Sequence, residues 1–269
     1  MRTLLFFLLG LVTTFALGQV SEPDLLDGKL LNGRFDAKRS WEKSDVHVPG
    51  KLFSTDVREL ANLGSVDAVL YLHGCDGVRQ DESHWISTLN DLGLVVVMTD
   101  SATTAQSFYC GRGGGPKKEI GGVPVLDILA MRTAEAVYAL NQLHAIPNVR
   151  RIFIMGFSLG GLTAFTTIRQ YTGDDGVTVS PLTSRLAGVI SLSSYCNTPL
   201  RVPEQTPLLM INFVSDPSFP VQKNQCAERT ASRAGTSKNV VLEGHGHATG
   251  QSRVAIDAVK DYFGAHRSR

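Results

Sequence analysis

The sequence predicts an α/β fold, with a mostly parallel sheet and helices on both faces. Three observations carry this. Short runs rich in Val, Ile and Leu recur at Asp67–Leu72, Leu94–Met98, Ile152–Met155, Leu186–Leu192, Leu208–Val214 and Val240–Leu242, and runs that are apolar throughout rather than alternating are strands buried on both sides. Between most of them lie segments with helical spacing, so strand and helix alternate along the chain, as in a parallel sheet. One of these strands runs straight into Gly156-Phe-Ser158-Leu-Gly160, a strand-to-helix turn flanked by small residues. In such sheets the loops at the carboxyl ends of the strands carry the site.

Taken in order, residues 1–18 have a basic start (Arg2), an apolar middle and small residues at Ala16-Leu17-Gly18. This is the pattern of a secretory signal peptide cut after Gly18, which places the protein outside the cytoplasm, secreted or periplasmic. About 15 apolar residues fall short of the roughly 20 that span a bilayer, so no stable membrane insertion is expected once the segment is removed. Cleavage leaves 251 of the 269 residues, enough for one layered domain over 19–269. It also removes Arg2 from the 26 basic residues, so 25 then balance 25 acidic ones. That neutrality gives nothing for nucleic acid or an anionic surface to hold.

Residues 19–65 are mixed and polar, with one alternating stretch, Val46–Phe53, readable as an edge strand pair; Pro49 keeps it from the centre of the sheet. From Val66 the regular pattern begins: strand Asp67–Leu72, helix His84–Leu92, strand Leu94–Met98, then a helix with Leu126, Leu129, Ala130, Val137 and Leu140 on one side. After the strand ending at Met155, a helix runs over Leu159–Tyr171, and further helices are expected over Val221–Ala234 and Val254–Phe263. Between them, Ser101–Val123 is a long irregular stretch with six glycines and the cations Arg112, Lys117 and Lys118. A loop of that length beside a strand end is usually functional.

The turn at Ser158 has the form of a nucleophile elbow, which lifts one hydroxyl to the apex between strand and helix. Side chains at 156 and 160 would collide with the neighbouring strand and helix, so glycine is required there. A serine hydroxyl is a weak nucleophile and needs a base, which in turn needs an acid to orient it. On this kind of sheet the chain order is serine, acid, histidine. Ser215-Asp216-Pro217 follows the strand Leu208–Val214 at once, placing Asp216 at its carboxyl end, and Gly244-His245-Gly246-His247 follows the last strand. Of the two histidines His247 is favoured, since Gly246 lets the chain turn before it and the final helix can fix its direction after it; His245 remains as a polar contact. His73 and Asp100 also end strands but precede Ser158, and His73 reads as a loop residue.

An oxyanion needs two N–H donors. The amide of Leu159 is one, and the loop His73-Gly74-Cys75-Asp76-Gly77 supplies the other, from Cys75 or, alternatively, from Asp76. The four cysteines, Cys75, Cys110, Cys196 and Cys226, form an even set in an exported chain, which favours disulfides. Cys75 with Cys110 and Cys196 with Cys226 is the expected pairing, because the first two follow neighbouring strands and the second two flank the strand before Asp216. No two stand at Cys-x-x-Cys spacing, so no metal site is expected.

Together, His73-Gly-Cys-Asp-Gly77, Thr99-Asp100-Ser101, Gly156-Phe-Ser-Leu-Gly160, Asp216 and Gly244-His-Gly-His247 resemble the dienelactone hydrolase family of α/β-hydrolases, over roughly residues 45–265. The resemblance implies an α/β-hydrolase that acts on a small-molecule ester or lactone without a cofactor, with Ser158, Asp216 and His247 at the nucleophile, acid and base positions. Dienelactone hydrolases proper carry Cys as nucleophile, and the family usually has a small residue where His245 stands. Only 15 residues separate Leu192 from Leu208, too few for the cap domain that many α/β-hydrolases insert there. Asp76, Arg112 and His245 are then candidate substrate contacts. A peptidase or amidase with the same triad, or a silent binding protein on this fold, are the competing readings; oligomeric state is not written in the sequence.

Overall fold

Among the described residues, eight strands form the central sheet. The computed structural model describes residues 29–30, 35–75, 77–78, 80–99, 101, 119–120, 123–172, 186–194, 202, 205–218, 230 and 237–267. The expected signal segment, Asp76, Asp100, Arg112, Cys110, Cys196 and Cys226 lie outside these residues, as does the helix expected over Val221–Ala234 except for Thr230.

Strands β5 (Val66–Leu72), β6 (Val95–Met98), β9 (Val149–Phe157), β10 (Leu186–Leu192), β11 (Leu208–Ser215) and β12 (Ser237–His245) pair in parallel. Two short strands, β3 (Asp45–His47) and β4 (Thr55–Asp56), complete the sheet at one edge in the order β12-β11-β10-β9-β5-β6-β3-β4, with β3 antiparallel to both β6 and β4. The edge pair is therefore real but displaced from Val46–Phe53: its second strand starts at Thr55, and Leu52 and Phe53 stand exposed in the connection. Two-stranded ribbons, β1 (Lys29–Leu30) with β2 (Phe35–Asp36) and β7 (Glu119–Ile120) with β8 (Val123–Pro124), lie apart from the sheet.

The alternation of β5 divides the core. Ala68, Leu70 and Leu72 face one layer, with Trp41 of α1 (Ala37–Glu42), Ile128, Met131 and Leu140 of α3 (Val125–Ala145) and Ala164 of α4 (Leu159–Thr172). Val69 and Tyr71 face the other, with Trp85 and Leu89 of α2 (Gln80–Asp91) and Val259 and Phe263 of α5 (Arg253–His266). Both faces of the sheet are thus covered, which is why its strands read as continuous apolar runs. Each fully buried leucine here is worth about 2–5 kcal/mol against alanine.

At the amino end of the sheet, buried Asp67 binds Arg151 (Nη2 to Oδ2, 2.9 Å) and Arg267 (Nε to Oδ2, 3.3 Å), tying β5, β9 and the end of α5 together. At the carboxyl end the chain crosses from β6 back over β5 to β9, so the strand order reverses at β5. Sheets of this kind bind ligands in a crevice at such a reversal, which here lies between the loops after β5 and β9.

Backbone contact sets the geometry of that crevice. A Cβ at Gly160 would lie 1.9 Å from the Leu72 carbonyl oxygen, and one at Gly156 would lie 2.1 Å from the Gly160 carbonyl oxygen. Gly264, in the last turns of α5, has nothing within 4 Å. Gly160→Ala is expected to destabilise by about 3 kcal/mol or more, beyond the usual overpacking range because backbone cannot yield. Gly264→Ala is expected to stabilise by up to about 1 kcal/mol. Urea unfolding checks both; a Gly160→Ala protein as stable as the parent would contradict the contact.

Candidate active site

Ser158 sits between β9 and α4 with φ +55°, in the left-handed region that a residue with a Cβ occupies only under constraint. The constraint is visible. Its amide donates to the Leu192 carbonyl on β10 (2.8 Å), its carbonyl accepts from Leu162 N–H (3.1 Å) in the first turn of α4, and the glycines at 156 and 160 let strand and helix close on each other. Leu159 opens α4, so by position its amide has no partner within the helix.

His247 and Asp216 meet. The imidazole Nδ1 lies 2.7 Å from Asp216 Oδ2, with the carboxylate side chain 1% exposed and the imidazole 23%. Asp216 Oδ1 accepts from Ser218 N–H (2.8 Å), so the aspartate is oriented from both oxygens. The His247 ring rests against Phe157, the residue before Ser158, with centroids 4.9 Å apart. Its carbonyl accepts from Ser193 Oγ (2.5 Å), and Ser193 itself has φ +44° at the end of β10.

His245, expected after the last strand, is instead the last residue of β12, paired with Ser215 and exposed. Gly244, inside β12, has φ +94° at the register shift just before His245, while Gly246, between the histidines, is pressed against the Phe213 ring. Gly246 donates to the Ser215 carbonyl (3.1 Å), and this carries the chain past the strand end so that residue 247 faces Asp216.

The loop after β5 approaches the serine closely. A Cβ at Gly74 would stand 3.0 Å from the Phe157 ring and 3.6 Å from Ser158 Cβ, so the loop lies close over the elbow and a larger residue would push on the Phe157 ring. Cys75 is disulfide-bonded; its partner is outside the described residues.

Beneath this loop lies a buried polar cluster that the sequence reading missed. Arg132 Nη2 donates to the His73 carbonyl (2.9 Å), and its Nη1 lies 3.3 Å from His73 Nε2. His73 Nδ1 donates to the Gly74 carbonyl (2.6 Å), which assigns the proton to Nδ1 and leaves Nε2 to accept from Arg132. Arg132 pairs with Glu135 (3.5 Å), and Glu135 accepts from Ser40 Oγ and from Ser101 Oγ (2.5 Å). The signal was present in the sequence: Arg132-x-x-Glu135 interrupts the apolar stretch 128–140 of α3, and charges there must pair with something.

Burial, aided by the Arg132 cation, pushes the His73 pKa down to about 3. Burial also lowers that of Arg132, with Glu135 acting against it. Among the described residues no group of three or more His, Cys, Asp or Glu side chains could hold a metal ion, and no helix is long and apolar enough to cross a membrane.

The fold has known relatives in shape. Est1E from Butyrivibrio proteoclasticus, solved with ferulic acid bound, superposes with a TM-score of 0.57 at 14% identity, over 84% of this chain and 96% of that one. The esterase PE8 superposes with a TM-score of 0.56 at 17% identity, over 76% of this chain and 94% of that one. The chain has the α/β-hydrolase fold. No protein-family model and no curated protein sequence matches it.

The neutral, buried His73 has a consequence for stability. Above pH 6.5 it is uncharged in folded and unfolded chains alike and contributes no pH dependence. Below 6.5 the unfolded chain takes up a proton that the folded one refuses until about pH 3, so stability falls as the pH drops through that window. From pH 6 to 4 the loss should be about 2–3 kcal/mol. Urea unfolding of wild type and His73→Gln across this range checks it: the free-energy difference between them should shrink toward acid, and parallel curves would contradict a neutral His73.

Proposed function

We propose that the protein is a serine hydrolase that cleaves carboxylic esters, lactones included, through an acyl-enzyme on Ser158. One observation carries the reading: the His247 Nδ1 to Asp216 Oδ2 hydrogen bond of 2.7 Å, on a loop whose imidazole packs against the residue preceding a serine held at φ +55°. An acid–base pair on the loops after β11 and β12, its imidazole against the residue preceding a strained serine after β9, fits acyl transfer. The esterases of similar fold support the same class.

In this mechanism Ser158 Oγ attacks the ester carbonyl carbon while His247 Nε2 takes the hydroxyl proton. Asp216 holds Nδ1–H and stabilises the imidazolium that forms. The negative charge on the former carbonyl oxygen is met by the Leu159 amide at the start of α4 and by an amide of the loop 73–76, with Cys75 N–H proposed as the donor. The tetrahedral adduct then expels the alkoxide, which leaves as an alcohol with the proton from His247. Water, deprotonated by the same imidazole, releases the acid and restores the serine. Asp76, Arg112 and His245 are proposed to meet the substrate around this centre, and the sequence features of an exported chain would place the reaction outside the cytoplasm.

The histidines separate the reading from its neighbours. Ser158→Ala and His247→Ala are each expected to lower kcat for a soluble ester by a factor of about 10⁴ or more with the fold intact. His245→Ala should cost about tenfold at most, since an exposed strand-end imidazole is not held by an acid. Steady-state kinetics on an ester panel, with circular dichroism to establish folding, make the check. Full activity in a folded Ser158→Ala protein, or a dead His245→Ala beside an active His247→Ala, would overturn the assignment.

A further inference from the structure

The first turn of α2 carries two consecutive carboxylates, Asp81 and Glu82, and both are buried. Neither takes part in the chemistry above. Burial of a carboxylate is costly unless it accepts hydrogen bonds, so each must have found donors. The helix amino terminus favours their charge in part, but the specific partners are more telling.

Glu82 Oε1 accepts from the Gly74 amide at 3.3 Å, in the loop that lies over Ser158. Asp81 Oδ1 accepts from the Gly250 amide at 2.5 Å, three residues after His247, while Asp81 Oδ2 is buried with no hydrogen-bond partner among the described residues. One turn along α2, Trp85 Nε1 donates to Thr249 Oγ1 at 3.3 Å. At position 250 a Cβ would stand 2.7 Å from Asp81 Oδ1 and 2.8 Å from the Asp81 carbonyl oxygen, so the loop lies flush on the helix.

Successive helical residues project about 100° apart. Asp81 and Glu82 therefore reach two different loops from one rigid turn, one loop 8 residues away in sequence and the other 169. Both loops border Ser158: Gly74 through its approach to Ser158 Cβ, and the histidine loop through the Phe157 ring.

We propose that Asp81 and Glu82 are positioning residues, one carboxylate for the His247 loop and its neighbour for the oxyanion loop, which together set the distance between base and oxyanion donor across the serine. The proposal rests on the roles assigned above to Ser158, His247 and the loop 73–76. Loss of either anchor leaves all three triad side chains present but loosens the loop that carries one of the groups acting in the transition state. The rate should then fall at unchanged substrate binding.

The test pairs apolar and isosteric replacements. Glu82→Leu and Asp81→Leu should each lower kcat by about 10–100-fold, the usual cost of removing a supporting hydrogen bond, with KM within about twofold. Glu82→Gln and Asp81→Asn keep an acceptor oxygen and should recover most of that loss. The low-field proton resonance of His247 Nδ1–H should persist in Glu82→Leu and be lost in Asp81→Leu, a separation that general destabilisation does not produce. Amide exchange on the native wild-type protein completes the test: Gly74 and Gly250 N–H should both be protected.

Wild-type kcat in folded leucine variants, isosteres as impaired as the leucines, or fast exchange at either glycine amide would each overturn the proposal. The exchange measurement needs neither a variant nor turnover. It decides the two anchors even where a leucine variant does not fold, or where Ser158 proves not to be a nucleophile, an outcome that inactivity toward every ester in the wild-type protein would reveal separately.

Discussion

The close approach of two backbones, Gly160 of α4 against the Leu72 carbonyl of β5, is the contact on which the rest of the site depends. It draws the helix that starts at Leu159 onto the central strand and leaves Ser158 no choice but a left-handed turn at φ +55°. The strain of such a conformation, of order 1–3 kcal/mol, persists because several interactions over-determine it. The amide of Ser158 is taken by Leu192, its carbonyl by Leu162, and Gly156 admits the helix from the other side. The same contact brings the loop after β5 over the serine.

A second constraint is electrostatic. The loop 73–75 has its polar backbone atoms tied from below and from the side: the His73 carbonyl to Arg132, the Gly74 carbonyl to His73 Nδ1, the Gly74 amide to Glu82. A buried ion pair such as Arg132 with Glu135 adds little to stability by itself, since desolvation offsets the attraction, whereas removing one partner strands the other at a cost of about 3–5 kcal/mol. The cluster thus acts less as a source of stability than as a rigid platform. An oxyanion donor is effective only when its amide is already aimed, without reorganisation at the moment charge develops.

Much of this was legible in the sequence because it depends on period and on steric necessity. Doubly buried strands announce themselves as apolar runs, the elbow glycines as the only residues that fit, and Asp216 as the residue directly after a strand. The edge strand pair was seen but set too early, since alternation continues through Leu52 and Phe53 into a connection where both stand exposed. His245 and His247 part at a place no local pattern reports: β12 extends to His245 through pairing with Ser215, Gly244 takes φ +94° inside the strand, and the chain leaves the sheet at Gly246. Asp81, Glu82 and Arg132 were missed for a different reason. Charged residues on helices normally face water, and for Asp81 and Glu82 only the tertiary structure shows that they point inward to backbone amides, whereas Arg132 with Glu135 inside the apolar stretch 128–140 was a readable sign of a buried pair.

The central claim is that Ser158 becomes covalently acylated during turnover. Rapid acid quench of the enzyme mixed with an activated ester, followed by peptide mass spectrometry, tests it most directly. The account predicts an acyl group on the peptide carrying Ser158, formed in a burst before steady turnover. Turnover with no adduct, or with an adduct on any other residue, would contradict it.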